Sequence, residues 1–184
     1  MAIVSRSFVT QRLHRIELAG LPRRGEPARH PRHHGNNNSN QYQPDGKTPL
    51  LTGYQSTMID WASAKLSDLR HRMPEAGGLV IAPNIQMAEY MTSLIEMIEG
   101  ERPILVHSNI PNPEIKIKAF RNTDKRWIVS VNMISEGVDI KRLRVLVYLP
   151  NALTELAFRQ AVGRVVRTAD NSDDTRAYVV MPSF

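Results

Sequence analysis

The chain has 184 residues, no cysteine and a formal net charge of +6 at pH 7. That length is about one domain with some remainder. The lack of cysteine excludes a disulfide framework and any Cys-based zinc or redox site, and it fits a reducing cytosol, so a cytoplasmic location is expected. The basic excess favours polyanionic partners such as nucleic acid. The excess is concentrated at the start, where residues 1–45 carry seven Arg against Glu17, Glu26 and Asp45.

Residues 1–54 do not read as a compact unit. Ile3 to Leu18 has scattered apolar residues, enough for a short helix. From Gly20 to Gly46 come Pro22, Pro27, Pro31 and Pro44, a His-rich patch and the run Asn36-Asn-Asn-Ser-Asn40. Such a composition buries too little apolar surface to offset the entropy of ordering. The expectation is a disordered basic tail or linker, with a foreign leader as the other reading. His30, His33 and His34 have no carboxylate or cysteine to complete a shell, so no metal site is expected. Asp45-Gly-Lys-Thr48 imitates the end of a phosphate-binding loop, but the first glycine of that pattern would fall at Gln41 and no strand precedes it. No apolar run approaches the roughly 18 residues of a membrane helix, and no basic start leads into an apolar signal core. No membrane partner is expected.

From Gln55 the pattern changes. Met58, Ala62, Leu66, Leu69 and Met73 recur at helical spacing, and Pro74 and Gly77-Gly78 stop the run. Leu79 to Ala82 is a short apolar strand. Asn84 is placed to N-cap a helix whose stripe is Ile85, Ala88, Met91, Ile95 and Ile98, ending at Gly100. Pro103 to His107 is the next strand, and Asn112-Pro113 reads as N-cap and first residue of a helix ending near Phe120 or Arg121. Trp127–Val131 and Val145–Leu149 are strands, residues from Leu153 to about Arg167 a helix, and Ala177–Met181 a last strand. Short strands that are apolar on both faces and mostly alternate with helices specify an α/β domain, a mainly parallel sheet flanked by helices over residues 55–184. Such sheets bind ligands at the carboxyl ends of their strands, where His107-Ser108, the loop from Asn132 to Asp139 and the loop after Leu149 fall.

Two segments carry candidate chemistry. On a helix, Gln160, Arg164 and Arg167 share one face while Phe158, Val162, Val165 and Val166 cover another. Two guanidinium groups beside Gly163 suit a phosphate gaining negative charge. Alone, the segment equally fits a surface helix with ordinary arginines. In Glu136-Gly-Val-Asp139, Gly137 permits a tight turn or close ligand approach, and Asp139 could hold a sugar hydroxyl or position an arginine; a plain turn capped by Asp is the other reading. His107 and Ser108 are adjacent along a strand, point to opposite faces and cannot form a nucleophile–base pair. Asp170, Asp173 and Asp174 read as a solvated turn. Trp127 and Tyr148 read as core rather than base-stacking residues.

Together the segments are more specific. Val129-Ser-Val-Asn-Met-Ile-Ser-Glu-Gly-Val-Asp139 resembles motif V, and Gln160-Ala-Val-Gly-Arg-Val-Val-Arg167 motif VI, of the second RecA-like domain of superfamily 2 helicases and translocases. Gly78 to Ala82 is similar to the motif IV strand, and Val106-His-Ser108 to a strand end facing nucleic acid. The flavour is closest to the DEAD/DEAH and type III restriction-subunit-like enzymes, with an excision-repair-like Asn-x-x-x-Glu-Gly-x-Asp. The resemblance covers about residues 55–184 and implies a RecA-like three-layer domain. It makes Arg164 and Arg167 finger residues for the γ-phosphate, with Gln160 near that phosphate or the attacking water. Gly137, Asp139 and Gly163 would line the nucleotide. Asn84 and Ser108 would contact the DNA or RNA backbone. Where many relatives have a backbone-contacting Thr, this chain has Val131, so Ser130 or Asn132 would take its place.

The family's phosphate-binding loop and its Asp-Glu pair are not in these 184 residues. ATP and Mg2+ are therefore expected only in a composite site with a first RecA-like domain on another segment or chain. The chain is expected to be inactive alone. The alternatives are a non-catalytic nucleic-acid- or partner-binding module and an inactive gene fragment.

Overall fold

A computed structural model describes residues 41–43, 45–131, 140–149, 155–165 and 177–182. The elements are α1 (Tyr54–Arg70), β1 (Gly77–Ala82), α2 (Ile85–Glu99), β2 (Ile104–Val106), α3 (Pro113–Arg121), β3 (Trp127–Val131), β4 (Leu143–Tyr148), α4 (Glu155–Val165) and β5 (Tyr178–Val180). The strands form one sheet in the order β2-β3-β1-β4-β5, and every pairing is parallel.

Period-two alternation divides each strand between two cores. Val80, Ala82, Val129, Val145 and Val147 face α1 and α2, where they meet Met58, Ile59, Ala62, Leu66, Ala88, Met91 and Ile95. Leu79, Ile81, Ile128, Leu146 and Tyr148 face the other way, against Ile117 and Phe120 of α3 and Ala161 of α4. The result is the expected three-layer α/β architecture, with both faces of a short-stranded sheet covered.

The boundaries follow the sequence signals with instructive exceptions. Asn84 caps α2 as expected: its side chain accepts from the Met87 backbone N–H at 2.8 Å. Gly100 closes α2 in the left-handed region, φ +73°. Asn112 precedes α3 but makes no side-chain cap; it sits at φ +50°, and Pro113 starts the helix without needing a donor. Burial on α2 is wider than one stripe, because Tyr90, Thr92 and Leu94 are also inside.

Part of that extra burial comes from a strap ahead of α1. Tyr42 packs edge-on against Tyr90, with centroids 5.5 Å apart, and Tyr90 donates to the Leu50 carbonyl at 3.2 Å. Backbone bonds from Gln43 to Thr48 and from Leu50 to Gln41, both 2.7 Å, hold the strap in a turn. Asp45 accepts from the Lys47 and Thr48 N–H groups at 2.9 and 2.8 Å. Asp45-Gly-Lys-Thr48 is thus an Asx-type turn and no phosphate loop. Residues 41–43 and 45–53 belong with the packed unit, ahead of the 54/55 division read from composition.

Candidate nucleotide-facing helix and nucleic-acid edge

Because all strands run one way, all their carboxyl ends lie on one edge of the sheet. The chain passes from β3 to β4 across β1, which makes the carboxyl end of β1 a switch point of the kind where α/β sheets take ligands. Asn84 stands there, exposed. Its cap uses the side-chain carbonyl oxygen and leaves the amide –NH2 as a donor. At the end of β2, His107 is buried and Ser108 exposed. His107 Nδ1 accepts from the Asn109 N–H at 3.3 Å, and Ser108 Oγ donates to Asn109 Oδ1 at 3.1 Å. The two do not bond to each other, as strand geometry requires.

Ser130 corrects an expectation. It was placed among the nucleic-acid contacts, yet it has no exposed surface and its hydroxyl has no partner. It pairs in register with Ile81 and Val106, and alternation turns it with Ile128 toward the α3/α4 layer. In this arrangement it cannot reach a ligand at the surface.

On α4, Ala161 is buried, Phe158 and Val162 pack on the sheet, and the Phe158 ring lies 5.9 Å from that of Tyr148. Gln160 and Gly163 are exposed on the opposite side. A Cβ added at Gly163 would meet nothing within 4 Å among the described residues. No packing among the described residues therefore calls for a glycine there, although glycine costs roughly 0.5–1 kcal/mol in a helix interior relative to alanine. Arg164 lies within the span of α4. Its side chain, together with Arg167, Asn132, Gly137 and Asp139, lies outside the described residues, as do His30, His33, His34, Asp170, Asp173 and Asp174. Among the described residues no group of three or more His, Cys, Asp or Glu could hold a metal ion.

The opposite, amino-terminal edge is built differently. Glu99, at the end of α2, accepts from Arg126 Nε at 2.7 Å, from Trp127 Nε1 at 2.7 Å and from Ser63 Oγ at 2.5 Å. Burial pushes the Glu99 carboxyl up, but the bonds from Arg126, Ser63 and Trp127 outweigh it and hold the group below the ordinary carboxylate range. The Trp127 ring covers Gly78: a Cβ there would lie 2.2 Å from the indole. Arg142 is buried over the Phe120 ring at 3.9 Å and donates to the carbonyls of Phe120, Lys125 and Glu75 at 2.7 to 2.8 Å. Burial first, and the positive Arg70 next, lower its pKa to about 10, so it stays charged at neutral pH. Sequence reasoning missed this edge. Only the Arg and Trp placed just before or at the start of strands hinted at it.

A five-stranded, all-parallel sheet between two helical layers has the architecture of a RecA-like α/β domain. Residues 61–169 match the model of the helicase conserved C-terminal domain, and the chain belongs to that family. An uncharacterized protein of Mycobacterium tuberculosis is 37% identical over 126 residues, covering 68% of this chain and 21% of the relative. An uncharacterized protein of Mycobacterium leprae is 36% identical over the same length and coverage. The chain thus spans 21% of the length of the curated relatives it matches. Among solved structures, domain 2 of the DEAD-box helicase Mss116p bound to an RNA duplex superposes with a TM-score of 0.50 at 15% identity, covering 70% of this chain and 50% of that one. A structure of Mss116p bound to ssRNA and AMP-PNP gives 0.53 at 11% identity, with 70% and 25% coverage. These likenesses concern the fold alone, which is shared with domain 2 of that DEAD-box helicase. No helix among the described residues is long and apolar enough to cross a membrane.

Proposed function

We propose that the chain is the arginine-finger half of an ATP-driven nucleic-acid helicase or translocase. The observation that carries this reading is the outward face of α4. Gln160 is presented to solvent one turn before a glycine that no contact among the described residues requires, in the segment that continues to Arg164 and Arg167. A glycine kept open at a cost to helix stability fits close approach by a group from outside the domain. The guanidinium groups of Arg164, next in sequence, and Arg167, four residues past the glycine, would stabilise negative charge building on a transferred phosphoryl group, an effect worth ~10³–10⁵ in rate for phosphoryl transfer.

In this reading Gln160 orients the γ-phosphate or the water, and Gly137, Asp139 and Gly163 line the nucleotide. The described residues form no magnesium site and the sequence holds no phosphate loop, so ATP and Mg2+ would be held chiefly by a first RecA-like domain. Asn84 and Ser108, exposed at the carboxyl edge, would meet the phosphate backbone of DNA or RNA, with Asn132 beside them. Membership of the helicase C-terminal family and the carboxyl-edge clustering of polar loop residues both support the track.

The test is reconstitution. This chain mixed with a matching first RecA-like domain is expected to hydrolyse ATP in a nucleic-acid-stimulated manner, while each piece alone is silent. A mixture of two folded pieces that stays inactive would remove the composite-site reading and leave a binding module.

A further inference from the structure

The solvent face of α3 carries charge that the fold does not use. Lys116, Lys118 and Arg121 are exposed, against the single acid Glu114. Several cations elsewhere are matched, Lys65 with Asp68, Arg102 with Glu96, Lys125 with Glu101 and Arg126 with Glu99, whereas exposed Arg72 and Lys141 stand singly, without an ion pair among the described residues; α3 gathers three such cations on one helix. Among the described residues no ion pair forms on α3, even though Glu114 stands four residues before Lys118, the favourable helical spacing. The helix dipole accounts for cations in the last turn, Lys118 and Arg121, at roughly 0.3–1 kcal/mol each. It does not account for Lys116. Nor does it account for Ile115, which is 65% exposed, more than the other large apolar residues that reach the surface. Ile115 sits beside Lys116 and three residues before Lys118, so an apolar surface and three cations share one helix.

We infer that α3 is a second nucleic-acid contact surface, which takes a single strand leaving the carboxyl edge past β2 and holds it by its phosphates. Continuity with the edge supplies the direction. α3 begins just after Ser108, and its buried side, Ile117 and Phe120, fixes it against the sheet. Complementarity supplies the partner: uncompensated Lys and Arg match a phosphate row, and Ile115 offers an apolar contact for sugar or base. The inference rests on the nucleic-acid reading above, but it is made on residues outside the motif segments and extends the track rather than restating it.

The test is fluorescence anisotropy with the full chain and single-stranded RNA and DNA oligonucleotides of mixed sequence, at salt from about 50 to 200 mM. Each single-strand phosphate contact contributes about 0.7 to the slope of log K against log salt, so Lys118→Gln/Arg121→Gln is expected to lower that slope by about 1.4, equally for different sequences. Lys116→Gln should lower it by about 0.7 more. Ile115→Ala should weaken binding without changing the slope. Arg72→Gln, which removes an exposed cation just past the end of α1, a helix packed on the other face of the sheet, should leave it unaltered. Matching thermal transitions establish that the variants are folded. Wild-type binding with an unchanged slope in the α3 variants overturns this inference alone, and would turn the face toward an acidic protein partner. A folded wild type that binds neither strand overturns the track reading and this inference with it.

Discussion

The two edges of one sheet are built for opposite purposes. At the amino edge, side chains tie the fold together: Arg142 bonds three carbonyls, and Glu99 gathers Arg126, Trp127 and Ser63. At the carboxyl edge, Asn84 and Ser108 bond only to close neighbours and stay exposed. The outer face of α4 shares that economy, with Gly163 left open. Under the proposed function the carboxyl edge and α4 present groups to a nucleotide and a strand, and groups used in that way cannot also hold the domain together. The bonds that fix its loops are therefore concentrated at the other end. Substitutions at the amino edge should change stability; those at the carboxyl edge and on α4 should change binding or rate.

The largest stability effect is expected at Arg142. Arg142→Ala leaves three carbonyls without their donor and empties the space over Phe120, a loss on the order of 3 kcal/mol or more in urea unfolding. Glu99→Gln comes next, at about 1.5–3 kcal/mol near neutral pH, since its charge-assisted bonds weaken in a site where the side chain is only 6% exposed. The pH dependence has a definite sign. The folded carboxyl is held below its unfolded value of about 4.3, so its stabilisation is present above that pH and is lost as the pH falls through the lower, folded value. Melting temperature followed from pH 7 downward should drop less steeply in Glu99→Gln than in the wild type. An equal drop would assign the acid sensitivity to other groups. The smallest stability effect has the opposite sign. Gly163→Ala should raise stability by up to about 1 kcal/mol, because alanine favours helix and its methyl meets no neighbour among the described residues, while lowering hydrolysis in the reconstituted enzyme. Gains in both would show that the glycine has no functional role.

Much of this contrast was legible in the sequence, but unevenly. β3 falls on Trp127–Val131 as read, and Asn84 caps α2 as read, because apolar runs and caps are local signals. Gln160 on the open face of α4 followed from helical spacing alone. The amino edge was not legible, because Arg142 and Glu99 act on groups 17 to 67 and 27 to 36 positions away, most of them backbone carbonyls in the first case. Nothing in local composition encodes such partners. The strap before α1 was hidden for a related reason: its few apolar residues count for little until Tyr42 and Leu50 meet Tyr90. Ser130 was misplaced because a strand residue near a functional loop can turn inward, and only the register with Ile81 and Val106 shows that it does.

The central claim is that the guanidinium groups of Arg164, within α4, and Arg167, after it in sequence, act on the phosphoryl group in a shared site. Single-turnover ATP hydrolysis by the reconstituted enzyme, wild type against Arg167→Lys, addresses it most directly, because lysine keeps the charge and loses the planar fork. The account expects a rate loss of ~10³-fold or more with nucleotide binding little changed. Hydrolysis at the wild-type rate in Arg167→Lys and again in Arg164→Lys would contradict it.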